Sequence, residues 1–249
     1  MVFDKKPGNA EVDVVEQAQA YLQSKIDSGE FEIPRGVSYR FAGSYENQLR
    51  AAKTLSMVLP IALFIIFMLI YFEFKSTATT LLIFTGVFIA WSGGFILIWL
   101  YGQPWFFDIT LFGVDMRNLF QISTINMSVA VWVGFLALFG IATDDGVVMG
   151  TYLTQTFRDN TPKSTAEVRE LVLQAGNRRV RACLMTTATT ILALLPVLTS
   201  TGRGSDIMVP MAIPSFGGML IEVVTMLVVP VLYCMIKEQQ VKRSLKKLN

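Results

Sequence analysis

VAVWVGFLALFGIATDDGVVMGTY, residues 129–152, is apolar over almost its whole length, yet Asp144 and Asp145 stand side by side near its middle. Such a run reads as a transmembrane helix, because about 20 apolar residues rising 1.5 Å each cross a hydrocarbon core of roughly 30 Å. A carboxylate at mid-depth costs about 2.5–3.5 kcal/mol on insertion scales. Two adjacent acids therefore require partners, protons or water. The plainer reading ends the helix at Thr143 and leaves the acids solvated at its C-terminus. Against it, GVVMGTYL (146–153) continues the apolar pattern for about two further turns. The functional reading is an intramembrane protonation site.

The composition fits that opening. With 249 residues, 53% hydrophobic and 16% charged, the chain is too apolar for an ordinary soluble domain. A net charge of +2 with no basic cluster interleaved with aromatics gives no nucleic-acid signature. There is no histidine, which excludes histidine metal sites and histidine bases from this sequence, and no cofactor is expected. Cys183 and Cys234 fall in or beside apolar spans, so no disulfide framework is expected. Met1 is followed by polar residues rather than a signal peptide. A membrane protein that opens on a polar segment is expected to be the C-terminal part of something longer.

Three regions follow in order. Residues 1–52 are polar in composition: Val12, Val15, Leu22 and Ile26 recur at helical spacing from about Asn9 to Ser28, with Gly29 as a stop. Val37, Tyr39 and Phe41 alternate as on one face of a strand, and a short strand at Met1–Asp4 would complete a strand–helix–strand unit, too small to bury a core alone. Residues 53–236 hold five expected spans, at about 54–72, 78–100, 124–153, 182–200 and 207–236. Pro60 lies inside the first, where it can kink a membrane helix without ending it. Trp99, Tyr101 and Trp105 suit an interfacial belt, and Trp105, Phe106 and Phe107 the membrane surface. A separate helix is expected to start at the cap Ser164. Residues 237–249 form a basic tail with Lys237, Lys242, Arg243, Lys246 and Lys247. The fold class is thus a mostly α, polytopic membrane protein with a partial α+β segment in front.

Charge asymmetry sets an expected orientation. The loops at 73–77 and 154–181 and the tail together hold twelve Lys and Arg, whereas the loops on the other side hold only Arg117 and Arg203. The positive-inside rule then puts the tail in the cytoplasm and residues 1–52 outside.

Several side chains within the spans could carry chemistry. Gly140, Asp144, Val148 and Thr151 share one helix face, and Gly146 and Gly150 let another helix approach closely. Two close carboxylates in low dielectric should not both ionise readily unless a cation lies nearby. Thr186, Thr190 and Ala193 define a polar-to-small face with Thr187 beside it; threonines so placed also serve as packing glue. Arg179 and Arg181 are placed as snorkelling anchors, and Glu222 stands near the middle of the fifth span. The twelve methionines are mostly packing, but thioethers suit Cu(I) and Ag(I), and Met208 after TGRGSD is the best-placed candidate ligand.

These stretches together resemble the C-terminal part of a resistance–nodulation–division (RND) efflux transporter of the heavy-metal branch. The resemblance covers nearly the whole chain and is carried by residues 36–76, by GIATDDGVVMGTYL (140–153), and most specifically by RVRACLMTTATTILALLPVLTSTGRGSDIMVPMAIPSFGGM (179–219). These are similar to the end of the second porter region with the eighth span, the tenth span, and the eleventh with the start of the twelfth. The resemblance implies a homotrimeric inner-membrane pump driven by proton influx, acting with a periplasmic adaptor and an outer-membrane channel and embedded in lipid. It implies that Asp144 holds the relay position of the tenth span, that Thr186 holds the relay threonine of the eleventh, and that Arg179 is the basic residue at its end. Met208 would be a stepping stone for copper or silver. Asp145 and Glu222 are additional acids grouped with the relay. Cys183 stands where copper pumps tend to carry lysine, so the acids here lack that cation. The N-terminal half, with its own relay acids and most of the porter region, is an expected partner of this chain. A divalent-metal or organic-compound pump, or a non-transporting half that packs with another chain, are the nearest rivals. An intramembrane aspartyl protease needs its acids on two facing helices, whereas here they are adjacent on one.

Overall fold

The computed structural model describes residues 11–34, 36–39, 41, 44–111, 113–160, 162 and 164–248. Helix α1, Glu11–Asp27, is amphipathic, with Val15 buried. It ends where Gly29 takes a left-handed conformation, φ +74°, and the Phe31 N–H returns to the Lys25 carbonyl at 3.1 Å. A strand was expected over Val37–Phe41; the described residues 36–39 and 41 carry none, and Tyr39 and Phe41 share an edge-to-face contact at 6.1 Å. A strand needs a neighbour to take its backbone groups, and none lies beside it among the described residues. The strand expected at Met1–Asp4 lies outside the described residues.

Five helices are long and apolar enough to cross a membrane. Helix α2, Ser44–Phe74, runs through Pro60 without a break, as expected. A two-residue turn with Lys75 at φ +48° reverses the chain, and Ser76 caps α3, Thr77–Tyr101, by accepting from the Thr79 N–H. The following loop holds the strands β1 (Thr110–Leu111) and β2 (Val114–Asp115), paired antiparallel, and the short helix α4, Met116–Leu119. Arg117 braces this loop by donating to the Pro104 carbonyl at 2.6 Å. Trp99 and Trp105 are exposed, as an interfacial belt requires, but Tyr101 is buried in a cluster with Leu97, Ile122 and Leu198. Helix α5, Val129–Asp159, starts after Ser128, a few residues later than expected.

The other two helices are longer than the sequence suggested. The helix capped by Ser164 and the fourth span are one element, α6, Thr165–Leu198. No glycine or proline between Asn177 and Cys183 interrupts it, and buried Val168, Val172, Ala175, Gly176, Cys183 and Thr187 form one continuous stripe along it. Likewise the basic tail prolongs the fifth span as α7, Ser205–Leu248.

Helix α7 runs through the middle of the bundle, packed on α3, α5 and α6. Glycines set these crossings. A Cβ at Gly134 on α5 would lie 2.1 Å from the Met211 carbonyl oxygen, and one at Gly93 on α3 would lie 2.7 Å from that of Gly217. Backbones this close exclude any side chain, which is the small-residue packing of membrane bundles. The Ser215 hydroxyl adds a hydrogen bond across the seam to the Gly134 carbonyl at 3.0 Å. Gly146 and Gly150 receive Ile83 of α3. Helix α2 packs least: Met57, Phe64, Leu69 and Phe72 are all exposed. So much outward apolar surface is the mark of a lipid- or protein-covered face.

Candidate proton-binding site

The buried face of α5 runs through Phe135, Leu138, Ala142, Met149 and Leu153. Asp145 stands at the edge of that stripe, four residues before Met149, and is half-buried. Asp144, about 100° further round the axis, is exposed. The sequence organised this face around Asp144; the helix turns Asp145 inward instead.

Asp145 meets α6. The Thr187 hydroxyl lies 3.2 Å from Asp145 Oδ2 and also 3.0 Å from the Cys183 carbonyl oxygen one turn earlier. Thr187 is 3% exposed. The Cys183 side chain is buried against the same carboxyl group. Thr186 sits on the exposed side of α6, its hydroxyl donating to the Ala182 carbonyl at 3.1 Å, and no hydrogen bond links it to Asp144. Arg179, one turn before Cys183, lays its guanidinium over the Tyr152 ring at 4.2 Å from the centroid. Its Nε is buried with no hydrogen-bond partner among the described residues. This is cation–π anchoring between α6 and α5.

The third wall is α7. Glu222 is 1% exposed, and neither of its carboxyl oxygens has a hydrogen-bond partner among the described residues. Asp145 and Asp144 are the charged groups whose fields reach it. The centre of the bundle therefore gathers Asp145, Thr187, Cys183 and Glu222 from three helices, with Arg179 at one end. Met208 lies apart, 43% exposed in the first turn of α7. Among the described residues no three His, Cys, Asp or Glu side chains group as a metal site. The sequence set Cys183 near the acids through the family resemblance but passed over the hydrogen bond of Thr187 to Asp145. The signal was the four-residue spacing of Cys183 and Thr187 in register with Val168, Val172 and Ala175.

Five long apolar helices packed through small-residue seams, with acids enclosed among them, define a multi-pass membrane protein. A sequence model of the AcrB/AcrD/AcrF family matches residues 8–120 and 111–237, and the chain belongs to that family, the RND efflux transporters. That is a family of transporters, which removes the protease reading. Among curated relatives, the cation efflux system protein CusA of Escherichia coli is 32% identical over 229 residues, covering 89% of this chain and 19% of the relative. The cobalt-zinc-cadmium resistance protein CzcA of Cupriavidus metallidurans is 31% identical over 220 residues, covering 88% and 18%. A crystal structure of a heavy metal efflux pump matches with a TM-score of 0.64 and 27% identity, covering 93% of this chain and 20% of that one. The chain thus spans about a fifth of the length of these relatives.

Proposed function

We propose that this chain forms the C-terminal part of a proton-driven RND pump that exports metal ions, Cu(I) or Ag(I) in particular. The observation that carries the proton half is the placement of Asp144 and Asp145 at the middle of an apolar helix, with Glu222 buried beside them. Acids at that depth mark proton relays and ion pathways. In this reading Asp144 holds the relay position and faces outward, toward acids supplied by an N-terminal half, while Asp145, Thr186, Arg179 and Glu222 complete the network. The metal half is supported by heavy-metal relatives and by Met208, whose thioether suits a soft monovalent ion. The assembled pump is a homotrimer in the inner membrane, joined to a periplasmic adaptor and an outer-membrane channel. Residues 1–52 then lie in the periplasm and the α7 tail in the cytoplasm.

A divalent cargo is the second reading, because the cobalt-zinc-cadmium relative is 31% identical to this chain, close to the 32% of the cation efflux relative. Growth of a metal-sensitive host carrying the full-length gene, under copper, silver and zinc in turn, separates the two. Protection against copper and silver is expected; protection against zinc alone would sink the monovalent reading.

A further inference from the structure

Glu222 carries more than the relay reading asks of it. Its carboxyl group is fully enclosed, neither oxygen is hydrogen-bonded among the described residues, and the Thr225 hydroxyl is spent on the Glu222 backbone carbonyl at 2.7 Å. Among the described residues no Lys or Arg forms an ion pair with it. Helix α3 has Tyr101 as its one titratable side chain, at the far C-terminal end. Helix α5 brings Asp145 and Asp144, both acidic. Helix α6 brings Cys183, set against Asp145, and Arg179, stacked on Tyr152. An ionised Glu222 would have no compensating contact, so the neutral carboxylic acid is the state that fits its surroundings.

We infer that Glu222 is a proton store for this site, holding a proton as the neutral acid and exchanging it with Asp145. In the exchange the O–H bond on Glu222 breaks and an O–H bond forms on the Asp145 carboxylate. The negative charge moves from α5 to α7, and no electrons change hands. Asp145 is the partner because it is turned into the bundle, whereas Asp144 is turned outward. Thr187 completes the device: its hydroxyl can donate to Asp145 while that group is anionic, which is when the proton resides on Glu222. The inference rests on the proton-driven reading above and adds to it a station on the last helix.

Infrared spectroscopy tests it on the 249-residue chain reconstituted in lipid vesicles, following the C=O stretch of protonated carboxyl groups as pH is stepped. A protonated-carboxyl band is expected at neutral pH and should vanish in Glu222→Gln. In Asp145→Asn the band should remain but lose the pH response of the parent chain, since its exchange partner is gone. Absence of the band, its survival in Glu222→Gln, or an unaltered pH response in Asp145→Asn overturns the inference. If circular dichroism shows that Glu222→Gln does not fold, the Asp145→Asn comparison decides alone. No metal enters this measurement, so its outcome is independent of the growth test for cargo.

Discussion

One hydroxyl, that of Thr187, stands between two acceptors: Asp145 Oδ2 on the neighbouring helix at 3.2 Å and the Cys183 carbonyl on its own helix at 3.0 Å. A hydroxyl has a single proton to donate, so it serves one acceptor at a time. An ionised carboxylate is the stronger acceptor, and a neutral carboxyl group the weaker. The α5–α6 contact is therefore firm when Asp145 is charged and loosens when Asp145 takes up a proton.

Thr187→Val keeps the shape of the side chain and removes the hydroxyl. Asp145 then loses a charge-assisted hydrogen bond, and the chain should lose about 1–2 kcal/mol of stability. Thermal unfolding in detergent reads this directly. Thr187→Ser, which restores the hydroxyl, should recover most of the loss; equal melting of the Val and Ser variants would count against the bond.

Asp144 is exposed on this chain, so Asp144→Asn should leave the melting of the isolated chain unchanged. In the complete pump the same substitution should abolish metal resistance without loss of assembled trimer. Retained resistance removes Asp144 from the relay. Glu222→Gln is expected to lower resistance less than Asp144→Asn does; a complete loss would place Glu222 at the centre of the network.

The glycine seam predicts a contrast between two positions on one helix. Gly134→Ala places a methyl group against the Met211 backbone, which cannot swing aside, and should destabilise by about 1–3 kcal/mol through overpacking. Gly140→Ala meets nothing within 4 Å and should be neutral or stabilise by up to about 1 kcal/mol through helix propensity. Comparable losses at both positions would show that the α5–α7 contact is looser than described.

Met208→Leu replaces the thioether with a side chain of similar bulk at an exposed site. In the full-length pump it should reduce resistance to copper and silver several-fold and leave zinc resistance as it was. An unchanged copper phenotype returns Met208 to a packing role.

Much of the architecture was legible because membrane spans announce themselves by length. The cap Ser164 and the stop at Gly29 could each be placed from local chemistry. The continuity of α6 was harder to see, since Arg178, Arg179 and Arg181 mark the edge of an apolar run without marking the end of a helix. The strand expected over Val37–Phe41 is a related case: alternation describes a face, and pairing depends on a neighbour, the one expected at Met1–Asp4 lying outside the described residues. At the site, neighbouring residues differ by about 100° around a helix, so a sequence can locate an acid pair and a threonine pair without saying which member faces which. Asp145 with Thr187, rather than Asp144 with Thr186, had to come from the packing of three helices together.

Helix α6, at 34 residues, is about 51 Å long against a hydrocarbon core of roughly 30 Å. Arg169 near its start donates to Glu238 of α7 at 2.6 Å, and Thr187 further along reaches Asp145 of α5. These two residues are separated by about five whole helical turns, so they project at the same angle from the axis. Helix α6 is in that sense a double tie: from one side of its axis it holds α5 through Thr187 and α7 through Arg169.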